Sequence, residues 1–103
     1  MQPRSSRSFE TFCWRGVTAR VSVTRNHRIE GWTLLDVTVL SPRGAPLPFA
    51  INGYRQHGLE QEELDGAGGV AAFLTEWAER EAHLPRYAQA FARWNQADLF
   101  KTP

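Results

Sequence analysis

The sequence predicts an α+β fold in which an antiparallel sheet of three to four strands is covered on one face by two amphipathic helices, a two-layer sandwich. Two patterns predict it. Apolar residues alternate with polar ones in the first half, which is the strand period, and recur every three to four residues in the second half, which is the helical period. With 103 residues, 42% of them apolar, the chain is long enough for one domain with a hydrophobic core.

The first half predicts three strands and a short fourth one. Aromatic and polar residues alternate from Phe9 to Trp14, an Arg-Gly pair supplies a turn, and small apolar residues occupy every second position from 17 to 23. A polar connector precedes a third alternating segment, residues 32–41. The next segment is rich in proline and is expected to be a loop, followed by a short fourth strand over residues 49–54 that ends at an Asn-Gly pair.

The second half predicts a short helical turn near residues 59–64, a break at the glycines of residues 66–69, and two longer helices. The apolar stripe of the first long helix comprises Val70, Phe73, Leu74, Trp77 and Ala78. The stripe of the second comprises Leu84, Tyr87, Ala88, Phe91 and either Trp94 or Asn95, with Pro85 in its first turn. Both stripes are expected to pack on the sheet, and an exposed Trp77 or Trp94 could anchor a homodimer.

The net charge of +1 conceals a strong asymmetry along the chain. Residues 1–57 hold eight arginines against three acidic residues, whereas residues 58–103 hold four basic residues against eight acidic ones. The two halves therefore carry +5 and −4, respectively. Residues 1–8 are expected to form a flexible basic tail, and residues 9–103 a single α+β domain.

The chain contains one cysteine, Cys13, so no internal disulfide can form, which is typical of a reducing compartment. Its aromatic neighbours indicate a small apolar residue in a strand. No secretion signal or long apolar segment is present in the sequence. We therefore expect a cytoplasmic protein with no membrane partner.

The segment from Pro46 to Ala82 contains an apolar Pro-Leu-Pro run, a Gly-Tyr-Arg-x-His stretch, an acidic turn, a Gly-Gly pair and an aromatic helix. It resembles a family of small uncharacterised bacterial proteins carried on plasmids and other mobile elements. The matching positions are Gly53, Tyr54, Arg55, His57, Gly68, Gly69, Phe73 and Trp77. Asn52 and Gln56 stand where the family has Thr and Ser, and Gly58 stands where it has an aromatic residue. The resemblance implies an accessory gene of a mobile element, a class in which counter-defence proteins are common.

Tyr54, Arg55 and His57 form a polar cluster at the expected exit of the fourth strand. In a functional interpretation, Arg55 holds an anion and His57 transfers a proton near neutral pH, which would make the chain a small enzyme. In a structural interpretation, Tyr54 packs under the helices, Arg55 pairs with the acidic segment and His57 caps the first helix. The sequence shows no further convergent groups, which favours the structural interpretation.

Cofactor-dependent chemistry finds little support in the sequence. Cys13, His27, His57 and His83 are too far apart for the spacing of a metal site. The glycines after Asp65 are not followed by the residues of a phosphate-binding loop. No catalytic residue, metal or cofactor is therefore predicted.

We expect a non-catalytic binding module whose partner is a protein or a nucleoprotein complex. The predicted acidic contacts are Glu60, Glu62, Glu63, Asp65, Glu76 and Glu79. The predicted basic contacts on or near the first hairpin are Arg20, Arg25 and Arg28, together with Arg15 and the tail residues Arg4 and Arg7. Given the resemblance to mobile-element proteins, the module is interpreted as a counter-defence protein that inhibits a CRISPR effector or a restriction system by occupying its surface. An alternative is a nucleic-acid-binding module that uses the arginine-bearing sheet face.

Overall fold

The computed structural model of the chain describes residues 5–101, and for residues 97–101 it describes the backbone alone. The elements in chain order are β1 (Ser6–Trp14), β2 (Val17–Arg25), β3 (Trp32–Ser41), β4 (Tyr54–Glu60), α1 (Gln61–Ala67), α2 (Val70–Glu81) and α3 (Pro85–Lys101). The four strands form one antiparallel sheet in the order β1-β2-β3-β4, so β1 and β4 are its edges. The predicted α+β class is confirmed.

The two faces of the sheet differ because side chains alternate along each strand. The buried side chains on the covered face include Val17, Ala19, Val21, Val23, Leu35 and Val37. They pack in one core with residues of α1, α2 and the loop between β3 and β4. The other face, which we call the open face, carries mostly polar side chains, and no helix or loop covers it within residues 5–96.

The hairpin between β1 and β2 turns at Arg15 and Gly16, whose φ angles of 45° and 80° are both positive. Two positive φ angles are what a tight two-residue hairpin turn requires. β1 begins at Ser6, so residues 6–8 pair with β2 and do not belong to a tail as expected. Residues 1–4 of the expected tail lie outside the described residues.

The predicted fourth strand over residues 49–54 is wrong. Only Tyr54 of these residues belongs to a strand; residues 49–53 belong to a buried loop in which Pro46, Leu47 and Pro48 have almost no exposed surface and Leu47 and Ala50 form an isolated bridge. The two prolines lack the N–H groups that a strand ladder needs, and the apolar side chains serve to fill the core. The ring of Phe49, for example, stacks on Trp77 with 4.6 Å between centroids.

The fourth strand is instead β4, residues 54–60, a segment that was expected to follow a strand. Arg55 and His57 lie opposite Val37 and Leu35 on the covered face. The glycine at position 58 has a packing reason: a Cβ there would lie 2.8 Å from the indole of Trp32. The positive φ of Gly53, 83°, ends the loop immediately before the strand.

The helices follow the predicted periodicity in α2 and depart from it in α3. The stripe predicted for α2 is buried or partly buried throughout. In α3 the residues facing the core are Tyr87, Ala90 and Trp94, whereas Leu84, just before the helix, and Ala88 and Phe91 of the predicted stripe are exposed. The ring of Tyr87 meets Trp14 edge-on at 5.8 Å.

Neither tryptophan proposed as a dimer anchor is exposed. Trp77 is buried, and Trp94 is partly buried with its Nε1 donating a hydrogen bond to the carbonyl of Arg43 at 3.0 Å. Hydrogen bonding of Trp94 and the contact of Tyr87 with Trp14 together set the rotation of α3. No helix among the described residues has both the length and the apolar character to cross a membrane.

Candidate functional site

The cluster of Tyr54, Arg55 and His57 is divided between the two faces of the sheet. Tyr54 lies opposite Thr38 on the open face, whereas Arg55 and His57 point to the covered face. Successive strand residues point to opposite sides, so the three side chains cannot share one cleft. The interpretation of these residues as one catalytic site is therefore wrong, as is their expected position after a strand.

The open face carries a connected set of side chains that crosses all four strands. We call it the open-face network, and it consists of Arg7, Phe9, Arg20, Ser22, Asp36, Thr38, Tyr54 and Gln56. These residues line a shallow depression of about 330 Å³.

Asp36 organises one side of the open-face network. Its Oδ1 accepts hydrogen bonds from the hydroxyl of Tyr54 and from Nε2 of Gln56, both at 2.9 Å. The hydrogen bond to Asp36 raises the pKa of the Tyr54 phenol, which therefore remains protonated and keeps donating at neutral pH. Tyr54, the first residue of β4, is 53% exposed.

The basic side of the open-face network is built around Phe9, which is 58% exposed. The guanidinium carbons of Arg7 and Arg20 lie 5.4 and 5.6 Å from the centroid of its ring, within cation–π range. Arg7 also donates from Nε to Oγ of Ser22 at 2.7 Å. Two arginines are thus held beside one accessible aromatic ring.

The predicted arginine patch forms only in part on this face. Of its members that the structure describes, Arg7 and Arg20 belong to the open-face network; Arg25 donates to Ser8 at 3.2 Å, and Arg28 lies in the connector between β2 and β3 with a φ of 68°. Arg15 lies in the first hairpin turn, 4.4 Å above the ring of Trp14. Arg7 was expected near this face as part of a flexible tail, whereas the structure places it in β1, paired with β2.

The predicted acidic contacts fall into separate environments. Glu79 accepts from Nε1 of Trp14 at 2.9 Å and pairs with Arg15 at 3.2 Å, so it ties α2 to the first hairpin. Glu76 lies 3.8 Å from Arg80. Asp65 accepts from the side chain of Gln61 at 2.8 Å. Glu60 and Glu62 line a depression beside Trp32.

A groove of about 380 Å³ lies between β4 and the first two helices. We call it the β4–α2 groove, and its lining residues are His57, Glu63, Ala67, Phe73, Glu76, Trp77 and Arg80. The ring of His57 is 4.6 Å from Trp77 and 5.9 Å from Phe73, so His57 does not cap α1 as expected. Arg55 lies 5.4 Å from the Trp77 centroid, and no ion pair joins it to an acidic residue within the described chain.

His57 is a neutral ring in this groove at pH 7. Burial lowers its pKa below the usual 6.5, and the charge of Arg55 lowers it further, while Glu63 acts in the opposite direction. The groove therefore presents three uncharged aromatic rings together with the carboxylates of Glu63 and Glu76.

Metal-binding geometry is not found in the part of the chain that the structure describes: no three His, Cys, Asp or Glu residues lie close enough to hold an ion. Cys13 is in a strand as expected, but its side chain is exposed, 3.8 Å from the hydroxyl of Thr18. No buried polar side-chain atom among the described residues lacks a hydrogen-bond partner.

Comparison with known proteins gives one match. No curated protein and no solved structure matches the chain significantly. The family model described as the KlcB third domain matches residues 8–87, from within β1 to the first turn of α3. The chain therefore belongs to the KlcB third domain family, a plasmid-associated family of proteins.

Proposed function

We propose that the chain is a non-catalytic binding module that engages a protein or nucleoprotein partner through the open-face network. One observation carries the proposal. Within the described residues an entire sheet face is uncovered, and two of its aromatic side chains, Phe9 and Tyr54, are each more than half exposed beside fixed hydrogen-bonding groups.

The composition of the open-face network suits a binding surface. Tyrosine and arginine are enriched among the residues that dominate binding energy at protein interfaces. Hydrogen bonds hold Arg7 to Ser22 and Tyr54 to Asp36 before any partner arrives. A surface organised in advance loses less side-chain entropy on binding, which increases affinity.

The charges of the network favour a protein surface over a bare nucleic acid. Arg7 and Arg20 offer donors to carboxylates or phosphates, whereas Asp36 on the same face would repel a continuous phosphate chain. The isoelectric point of about 8.0 is also below the range typical of nucleic-acid-binding domains. A partner with both acidic and polar groups matches this arrangement best.

The more specific proposal is counter-defence: the module would inhibit a CRISPR effector or a restriction system by occupying part of its surface. The plasmid association of the family supports this context, as does the resemblance of the Gly-Tyr-Arg-x-His segment to mobile-element proteins. An inhibitor of this kind needs only a rigid scaffold that displays charged and aromatic groups.

The direct test is copurification of the tagged chain from bacterial cells that express defined CRISPR effectors and restriction enzymes, followed by binding measurements with the purified partner. Arg20→Glu should weaken binding by about tenfold or more, because it reverses a charge in the network. Arg28→Glu makes the same charge change outside the network and should leave binding unchanged. Equal affinities for the two variants would contradict the proposal.

Nucleic-acid binding remains a second candidate because Phe9 and Tyr54 present exposed rings near arginines on a sheet, an arrangement suited to base stacking. This candidate predicts a mobility shift with single-stranded DNA or RNA that weakens steeply as salt is raised. An absence of any shift at low salt would exclude it. Binding that is lost in Phe9→Ala but kept in Leu40→Ala would support it, since Leu40 is exposed on the same sheet outside the network.

A further inference from the structure

We propose that the free edge of β4 pairs with an extended segment of a partner protein, and that the β4–α2 groove receives a lysine or arginine side chain of that segment. This inference concerns the covered side and the edge of the sheet, so it does not depend on the open-face network. It defines a second interaction surface and the kind of peptide that fits it.

The hydrogen bonds at the two ends of the β3–β4 pair show which backbone groups are free. The N–H of Val39 donates to the carbonyl of Gly53, and the N–H of Gln61 donates to the carbonyl of Gly31, both at 2.8 Å. In an antiparallel pair, hydrogen-bonded residue pairs alternate with non-bonded ones. It follows that Arg55, His57 and Leu59 bond to β3.

Tyr54, Gln56 and Gly58 consequently direct their N–H and C=O groups away from β3, toward the free edge. No backbone group elsewhere in the described chain bonds to residues 54–59 from this side. Apart from the inward-pointing charge of Arg55, β4 has little of the usual protection of an edge strand, since it contains no proline and its pairing shows no bulge. Such an edge is a template for an additional strand.

The groove lies beside this edge and suits a long cationic side chain. His57 and Phe73, which are partly exposed, supply ring surfaces for an aliphatic stem. The carboxylate of Glu63 has no ion-pair partner in the described chain and can receive the cationic head.

The charge around the groove favours a basic partner over an acidic one. Glu63 and Glu76 outnumber Arg80 among the charged lining residues. α1, which forms one wall, carries Glu62, Glu63 and Asp65 and no basic residue in its last turn. Since alternate side chains of an added strand face the same way, every second residue of the peptide would face the groove.

Selection of binders to the full chain from a display library of random twelve-residue peptides tests the inference. The expected result is an extended consensus with lysine or arginine at alternating positions and no proline between them. A selection that yields no binder, or a consensus without these basic residues, overturns the inference.

Two matched pairs of variants then locate the selected peptide. Gln56→Pro removes an outward N–H without touching the ladder to β3, and should weaken peptide binding about tenfold or more. Gln56→Ala removes the same side chain and its bond to Asp36 but keeps the N–H, so it should bind as the natural sequence does. Glu63→Gln should weaken binding several-fold and Glu62→Gln clearly less, because Glu62 lies outside the groove and adds only to the surrounding charge.

Two further results would overturn the inference. Equal losses in Gln56→Pro and Gln56→Ala would place the peptide on the open face and overturn the inference. The melting temperatures of Gln56→Pro and Gln56→Ala show whether each variant is folded. If Gln56→Pro unfolds, the comparison of Glu63→Gln with Glu62→Gln still tests the inference. A dimer in sedimentation that Gln56→Pro dissociates would assign the edge to a second copy of the chain, which also overturns it.

Discussion

The two faces of the sheet use their side chains in different ways. On the covered face, Leu35, Val37 and their neighbours are completely buried and pack against Leu74 of α2. On the open face, Phe9 and Tyr54 keep more than half of their surface exposed, although hydrogen-bonded and charged groups surround them. The buried side chains of the covered face stabilise the fold because they are removed from water. The exposed rings of the open face contribute little to stability.

β4 shows this division within seven residues. Its even-numbered residues Tyr54 and Gln56 join the open-face network, while the odd-numbered Arg55 and His57 contact the aromatic side of α2. Neighbours in sequence therefore belong to different surfaces. Motif residues on a strand must be assigned to faces before a shared role is inferred for them.

The largest predicted effect lies on the covered face. Leu74→Ala should lower the free energy of unfolding by about 2–5 kcal/mol, because it leaves a cavity at a fully buried position. Leu40→Ala, at an exposed position, should change it by no more than about 0.5 kcal/mol. Denaturant titrations of both variants check this difference, and similar losses would mean that the two sites are not as differently buried as the fold requires.

The link between the first hairpin and α2 should give a medium effect. Glu79→Ala removes the acceptor of the buried Trp14 indole and should cost about 1–2 kcal/mol of stability. Glu79→Gln keeps an acceptor and loses mainly the exposed ion pair with Arg15, which should cost less than about 1 kcal/mol. Urea unfolding compares the two, and equal losses would show that the indole bond contributes little.

A smaller effect is expected from His57 when the pH is lowered. Its pKa is lowered in the folded state, so the unfolded chain binds the proton more readily. Stability should therefore fall as the pH drops through about 6.5 toward the folded-state pKa, and level off below it. In His57→Gln the decrease in unfolding free energy between about pH 7 and about pH 5 should be shallower, and parallel pH profiles would contradict this.

The smallest effect on stability is expected at Tyr54. Tyr54→Phe removes one exposed hydrogen bond to Asp36 and should change the free energy of unfolding by no more than about 0.5 kcal/mol. The same change should weaken partner binding, since it removes a fixed donor from the open-face network. Thermal melts and binding assays of one preparation separate these two consequences.

Strand and helix periodicity was sufficient to predict most of the fold. The alternation in residues 17–23 and 32–41 and the stripe of α2 correspond to the observed elements. The buried loop around Pro46 and Pro48 was missed because apolar residues after a proline-rich segment indicate a strand, whereas here they fill the core. The rotation of α3 depends on Tyr87 and Trp94 meeting Trp14 and Arg43, contacts that are distant in sequence.

The candidate sites were less predictable because they depend on register. Arg20 was predicted, but its association with Arg7 and Phe9 follows from the pairing of β1 with β2. The acidic residues were identified as a group, yet Glu79 has a structural partner and Glu63 does not among the described residues. Local patterns identify residue types, while strand pairing decides which of them meet.

The double variant Phe9→Ala, Tyr54→Ala tests the division between the two faces most directly. Its melting temperature and its affinity for the copurified partner are measured together with those of the natural sequence. We predict a melting temperature within about 5 °C of the natural chain, because both rings are exposed, and a loss of affinity of about tenfold or more. Unchanged affinity with an intact fold would contradict the assignment of binding to the open face.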